Sequence, residues 1–158
     1  MAIEIERKFL VHIDQLPALP KGIQLKQGYI ETAPGKVVRV RTADEKAYLT
    51  IKGKTEGFSR LEFEYEIPIE DAIELLEKLC SKPIISKTRY LIDFEGKTWE
   101  LDIFEEENTG LYLAEIELDS ENEYFTLPTW VGKDVSDLKE YRNNYLAMHP
   151  YNTWKIEK

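Results

Sequence analysis

Arg60-Leu61-Glu62-Phe63-Glu64-Tyr65-Glu66-Ile67 alternates between charged and apolar side chains without a break. Successive side chains of a β-strand point to opposite faces, so Glu62, Glu64 and Glu66 share one face while Leu61, Phe63, Tyr65 and Ile67 share the other. The pattern recurs along the chain. Glu4, Glu6 and Lys8 alternate with Ile5, Arg7 and Phe9; Arg39 and Arg41 with Val38 and Val40; Lys52 follows Leu49 and Ile51. Lys87 and Arg89 alternate with Thr88 and Tyr90, Glu100 and Asp102 with Leu101 and Ile103, and Glu115 and Glu117 with Ala114, Ile116 and Leu118. Period-2 runs lie near 3–11, 24–31, 36–43, 47–53, 60–68, 86–95, 98–105 and 111–119, about eight strands. Their short connections, such as Ala33-Pro34-Gly35, Glu95-Gly96-Lys97 and Asn108-Thr109-Gly110, imply mostly antiparallel neighbours.

A sheet with one wet face also alternates apolar and charged residues, and an acidic strand beside a basic one makes good cross-strand pairs. A solvated face, however, mixes Thr, Ser, Gln and both signs, whereas here several strands repeat one sign at i and i+2. Like charges so placed repel, and something must offset the repulsion. A closed barrel with a polar interior does so if carboxylates gather around a divalent cation and cations around a polyanion. Linear triphosphate suits such an interior, because its charge is spread over several oxygens. Arg39 and Arg41 offer planar forks for bidentate contacts; Lys8, Lys52 and Lys87 offer point charges.

Two helices are expected. Pro68 and Glu70-Asp71 open the first, Ala72, Ile73, Leu76, Leu79 and Cys80 form its apolar stripe, and Pro83 stops it. The second spans about 135–148, with Asp134 or Ser136 as N-cap and Leu138, Tyr141, Tyr145 and Met148 at helical spacing. It is expected to sit across one end of the barrel and gate it. The fold class is therefore α+β, an eight-stranded antiparallel β-barrel with helices packed outside.

The 158 residues suit a single domain, 1–158, whose last ten or so residues form a tail. With 21 Lys plus Arg against 30 Asp plus Glu, the net charge of −9 opposes non-specific attraction to nucleic acid or to an anionic membrane. No stretch approaches eighteen consecutive apolar residues, and Cys80 stands alone, so the expectation is a soluble, cytoplasmic protein without disulfides. Monomer and homodimer remain open. Gly53-Lys54-Thr55 and Gly96-Lys97-Thr98 lack the earlier glycine of a phosphate-binding P-loop, with Tyr48 and Leu91 in its place. His12 and His149 have no metal-ligand spacing.

Taken together, Glu4-x-Glu6-x-Lys8, Val38-Arg39-Val40-Arg41, Thr50-Ile51-Lys52-Gly53, Arg60-x-Glu62-x-Glu64, Lys87-Thr88-Arg89, Leu101-Asp102 and Ala114-Glu115-Ile116-Glu117 resemble the successive strands of the CYTH superfamily, the triphosphate tunnel metalloenzymes. The stretch Trp130 to Val135, followed by Tyr141-x-Asn143, is similar to the C-terminal part of its short bacterial members. The resemblance covers about residues 1–147. It implies a triphosphate substrate held inside an eight-stranded tunnel, with Mg²⁺ or Mn²⁺ as cofactor. By position, Glu4, Glu6, Asp102, Glu115 and Glu117 would be metal-associated, with Glu62 or Glu64 adding a carboxylate. Glu62, Glu64 and Glu66 share a face, so the sequence does not say which reaches the metal. Lys8, Arg39, Arg41, Lys52, Lys87 and Arg89 would hold phosphate oxygens, with Lys8, Glu115 and Glu117 nearest the chemistry.

The expected activity is hydrolysis of inorganic tripolyphosphate to pyrophosphate and phosphate. Rivals are adenylate cyclisation, which needs a base pocket; thiamine triphosphate hydrolysis, which needs a site for aromatic rings; and polyphosphate binding without turnover.

Overall fold

A computed structural model describes residues 3–154. Nine strands form one antiparallel sheet: β1 (Ile3–Val11), β2 (Ile23–Ile30), β3 (Val37–Ala43), β4 (Lys46–Lys52), β5 (Ser59–Ile67), β6 (Ile85–Phe94), β7 (Lys97–Phe104), β8 (Tyr112–Glu117) and β9 (Val131–Asp134). Their order is β5-β4-β3-β2-β6-β7-β8-β1-β9, and the sheet closes through β1 and β5, where Glu4 lies opposite Arg60. The first eight strands make the barrel, each within about a residue or two of the span expected from period-2 alternation. The final four residues of the expected tail lie outside the described residues.

Outward apolar faces are covered unevenly. Helix α1 (Ile69–Lys78) packs on β2, β3 and β4, with Ala72 and Leu76, together with Cys80 just past its end, against Val40 and Ala47. Ile73 and Leu79, expected in the same stripe, are exposed, because a ten-residue helix lying flat on a sheet buries only its inner face. The loop 118–130 wraps the outer face of β1, β7 and β8, sealing Phe9, Trp99, Leu101, Ala114 and Ile116 beneath Leu118, Trp130 and Val131. On β4 and β5, by contrast, Ile51, Leu61, Phe63 and Tyr65 stay exposed, so the expectation that helices would cover the apolar wall holds for only part of it.

The expected helix 135–148 is largely something else. Residues 131–134 pair with β1 at Phe9 and Val11, Lys139–Tyr141 form one 3₁₀ turn, and α2 spans only Asn143–Met148. The free edge of β1 explains the change: Val135 N donates to Lys8 O at 2.8 Å, and Lys8 N donates to Ser136 Oγ at 2.8 Å. Satisfying those strand groups outweighs a weak helical periodicity.

Inside the barrel the charged face gives way to an apolar one. Ile85, Phe104 and Leu113 share the inward parity of Lys87, Asp102 and Glu115, and they form a buried cluster with Val135, Leu146 and Ala147. The segment 135–147 therefore closes one end of the barrel through apolar contact. Tyr151 and Trp154 pack edge-on beside it, 5.0 Å between ring centroids.

Candidate active site

A cavity of about 220 Å³ runs through the barrel interior. Its walls carry Glu4, Glu6 and Lys8 from β1, Arg39 and Arg41 from β3, Lys52 from β4, Glu62 and Glu64 from β5, Lys87 and Arg89 from β6, and Glu115 and Glu117 from β8. All of these were expected site residues, and Asp102 alone of the expected set does not line the cavity. Glu66 does not reach it either, so Glu62 and Glu64 are the members of the β5 triad that face the interior.

Strand register decides who meets whom. Lys52 lies across from Glu62 and Lys8 across from Glu115, and the pairs form: Lys52 Nζ is 3.1 Å from Glu4 Oε1 and 3.3 Å from Glu62 Oε2, and Lys8 Nζ is 3.5 Å from Glu115 Oε1. Glu64 Oε1 accepts from Thr50 Oγ1 at 2.8 Å and from Arg39 Nη2 at 3.3 Å. Asp102, fully buried, accepts from Arg89 Nε at 2.7 Å, Arg89 Nη2 at 2.9 Å and Lys87 Nζ at 2.7 Å. Burial would raise its pKa, but Arg89 and Lys87 outweigh burial and hold it far below the usual carboxylate range. Both of its oxygens are thus committed to cations.

For the cations the compensation is incomplete. Burial pulls Lys87 down to about 7, with Asp102 opposing and Arg89 and Arg41 adding to the effect. Burial, then repulsion from Arg39 and Arg89, lowers Arg41 to about 9. Arg39 Nε is buried with no hydrogen-bond partner among the described residues. These groups are arranged for an anion.

Carboxylates show the converse crowding. Glu6 faces Glu117 directly across β1 and β8, and Glu100 faces Glu115 across β7 and β8, like charges in positions that normally repel. Neither Glu6 nor Glu117 has an ion-pair partner among the described residues. Burial pushes the Glu6 carboxyl well above its ordinary range, with Glu115 and Glu4 pushing the same way. Burial likewise raises Glu117, with Glu4 adding to it, whereas Lys8 overcomes burial and brings Glu115 to about 2. No three carboxylates among the described residues stand together as a ready metal cage. The donors nevertheless fit Mg²⁺ or Mn²⁺: hard cations take oxygen ligands, and Mg²⁺ keeps several waters and is typically bound by one or two carboxylates plus substrate phosphates.

Several cavity groups carry no charge pattern that could single them out. Tyr29 lies on β2, the one barrel strand that brings no charge to the lining, with Gln27 buried beside it, and Ser136, Arg142, Asn143 and Asn144 come from the C-terminal segment. Tyr141-x-Asn143 was visible as a motif; its contact with Lys87 was not.

A closed antiparallel barrel whose interior sets eight cations, Arg60 and Arg142 among them, beside carboxylates without a counter-ion defines a tunnel suited to a polyanion. The CYTH domain matches residues 2–146, and the chain belongs to that family. It is 50% identical over 155 residues to an inorganic triphosphatase of Acetivibrio thermocellus, spanning 98% of this chain and 99% of that protein. It is 35% identical to an inorganic triphosphatase of Nitrosomonas europaea, over 92% of this chain and 97% of the relative. The crystal structure of the inorganic triphosphatase NE1496 superposes with a TM-score of 0.67 at 31% identity, covering 94% of this chain and 96% of that one.

Proposed function

We propose that this protein is an inorganic triphosphatase, splitting tripolyphosphate into pyrophosphate and phosphate with Mg²⁺ or Mn²⁺. The observation that carries the reading is the coexistence, in one cavity, of crowded cations, Arg41 without a carboxylate partner among the described residues, and of the facing carboxylates Glu6 and Glu117, which have no cation partner among them. The size of the cavity agrees: about 220 Å³ falls below the roughly 300–1,000 Å³ typical of pockets for drug-sized ligands. Phe58, an aromatic ring in the lining, already has Arg7 over it at 4.3 Å, which leaves less for a nucleobase or thiamine ring to stack on.

In this mechanism Arg39, Arg41, Lys52, Lys87 and Arg89 hold the phosphate oxygens and stabilise charge on the transferring phosphoryl group. Glu4 and Glu6 would hold the cation, which would supply neutralisation of phosphate oxygens and acidification of a bound water. Water oxygen bonds to the terminal phosphorus, the bridging P–O bond breaks, and pyrophosphate departs with the bond's electrons. Glu117, free of any cation among the described residues, accepts the water proton, while Glu115 holds Lys8 against the reacting phosphate. Asp102 aims Lys87 and Arg89 and does not itself bind metal.

Phosphate release from tripolyphosphate, ATP and thiamine triphosphate, with and without each metal, tests the reading. Tripolyphosphate is expected to be the preferred substrate, and the Glu4→Gln, Glu6→Gln double variant to lose at least about a hundredfold in rate, the scale of removing a preorganised charge from an active site. Full activity in that variant would sink the proposal. Tight binding without turnover under either metal would mark a binding module instead.

A further inference from the structure

The C-terminal segment enters the cation field through one side chain. Asn143 Oδ1 accepts from Lys87 Nζ at 2.8 Å and from Gln27 Nε2 at 3.1 Å. Gln27, fully buried on β2, accepts from Arg41 Nε through its Oε1 at 2.8 Å, and its Nε2 lies 2.8 Å from the Tyr29 hydroxyl. Lysine and arginine only donate, so each amide must turn its oxygen to its cation. That leaves the Gln27 amino group to donate to Asn143. Arg41, Gln27, Asn143 and Lys87 thereby form one continuous chain in which two neutral amides join two cations.

The neutrality of the linkers is the informative part. Lys8, Arg39, Lys52, Lys87 and Arg89 each have a carboxylate within 3.5 Å, whereas Arg41 has none among the described residues. A carboxylate in place of Asn143 would accept the same two hydrogen bonds and accept them more strongly, and one in place of Gln27 would strengthen the Arg41 contact at the loss of the amino group that donates to Asn143. It would also cancel positive charge where a polyanion must bind. An amide supplies direction without neutralisation, and a site for a multiply charged anion needs both.

We propose that Gln27 and Asn143 are positioning residues of the anion site, whose amide oxygens aim Arg41 and Lys87 into the tunnel while leaving both charges available to a bound triphosphate. The C-terminal segment is then a working part of the site as well as its apolar cover. This rests on the triphosphatase reading for its choice of anion.

Asn143→Asp and Gln27→Glu test it, because both are near-isosteric and keep every acceptor oxygen. Asn143→Asp is expected to fold with an unchanged or raised thermal midpoint and Gln27→Glu with a lowered one, and each to raise KM for tripolyphosphate about tenfold or more with a smaller change in kcat. Asn143→Leu, neutral but without the acceptor oxygen, separates aim from charge: loss of positioning should raise KM there too, whereas a role in packing alone would leave it at the wild-type value. That result overturns the inference, and so does an unchanged KM in either folded carboxylate variant or failure of Asn143→Asp to fold, since its carboxylate should tighten the contacts with Lys87 and Gln27. Calorimetric binding of tripolyphosphate in the presence of metal gives the same comparison if the unaltered protein binds without hydrolysis. In that event the triphosphatase reading falls while the positioning roles are still measured.

Discussion

At the scale of single residues, the barrel interior separates charges that hold one another from charges left for a ligand. Asp102 belongs to the first kind. Replacing it with Asn leaves Lys87 buried without a counter-ion and Arg89 with Glu100 alone, and losing one partner of such a pair costs about 3–5 kcal/mol. Denaturant unfolding of Asp102→Asn should show that loss, and near-wild-type stability would mean that Lys87 sheds its proton cheaply. The pH dependence has a definite sign. Because the folded pKa of Asp102 lies below its unfolded value near 3.9, its contribution is complete above about pH 4 and is lost as pH falls below that. Wild type should therefore lose stability on acidification below about pH 4 more steeply than Asp102→Asn.

Among the elements, α1 depends on a close approach that a single residue permits. A Cβ added at Gly28 would lie 2.8 Å from Cys80 Cβ, 2.8 Å from Ile84 Cδ1 and 3.0 Å from Leu76 Cδ2. Gly28→Ala should therefore push α1 off β2 and cost about 1–3 kcal/mol, the usual range for overpacking. Phosphate-releasing activity should survive in the folded fraction, because Gly28 faces the helix while Gln27 and Tyr29 face the tunnel. A stability equal to wild type would show that the helix slides without penalty. Strand β9 makes a related point: Arg7 pairs with Asp134 while Ser136 N donates to Asp134 Oδ1 at 2.8 Å, so one carboxylate fastens the returning chain to β1.

For the whole molecule, a net charge of −9 surrounds an interior built to attract anions. Affinity must then come from short-range contacts inside the barrel, with the outer surface working against approach. Tripolyphosphate with metal should raise the thermal midpoint, since a ligand at a hundred times its Kd adds about 2.7 kcal/mol of stability. Differential scanning fluorimetry at matched ionic strength is the check, and no shift at saturating tripolyphosphate would contradict an anion site in the tunnel. No helix among the described residues is long and apolar enough to cross a membrane.

Eight strands, their spans and their inward residues were legible in the sequence because period-2 alternation is a local property of the backbone, and Glu4, Glu6, Lys8, Arg39, Arg41, Lys52, Lys87, Arg89, Glu115 and Glu117 all follow from it. Partnership was not legible. Which carboxylate meets which cation depends on register between strands far apart in sequence. Only that register leaves Arg41 without a counter-ion, sets Glu6 against Glu117 and buries Asp102 beneath two cations. The C-terminal segment was misread for the same reason: its helical spacing is local, whereas the unpaired edge of β1 that draws 131–136 into the sheet exists only once the barrel has closed. The amides of Gln27 and Asn143 carry no charge to betray them in a sequence, and they acquire their meaning from the cations that the fold sets beside them.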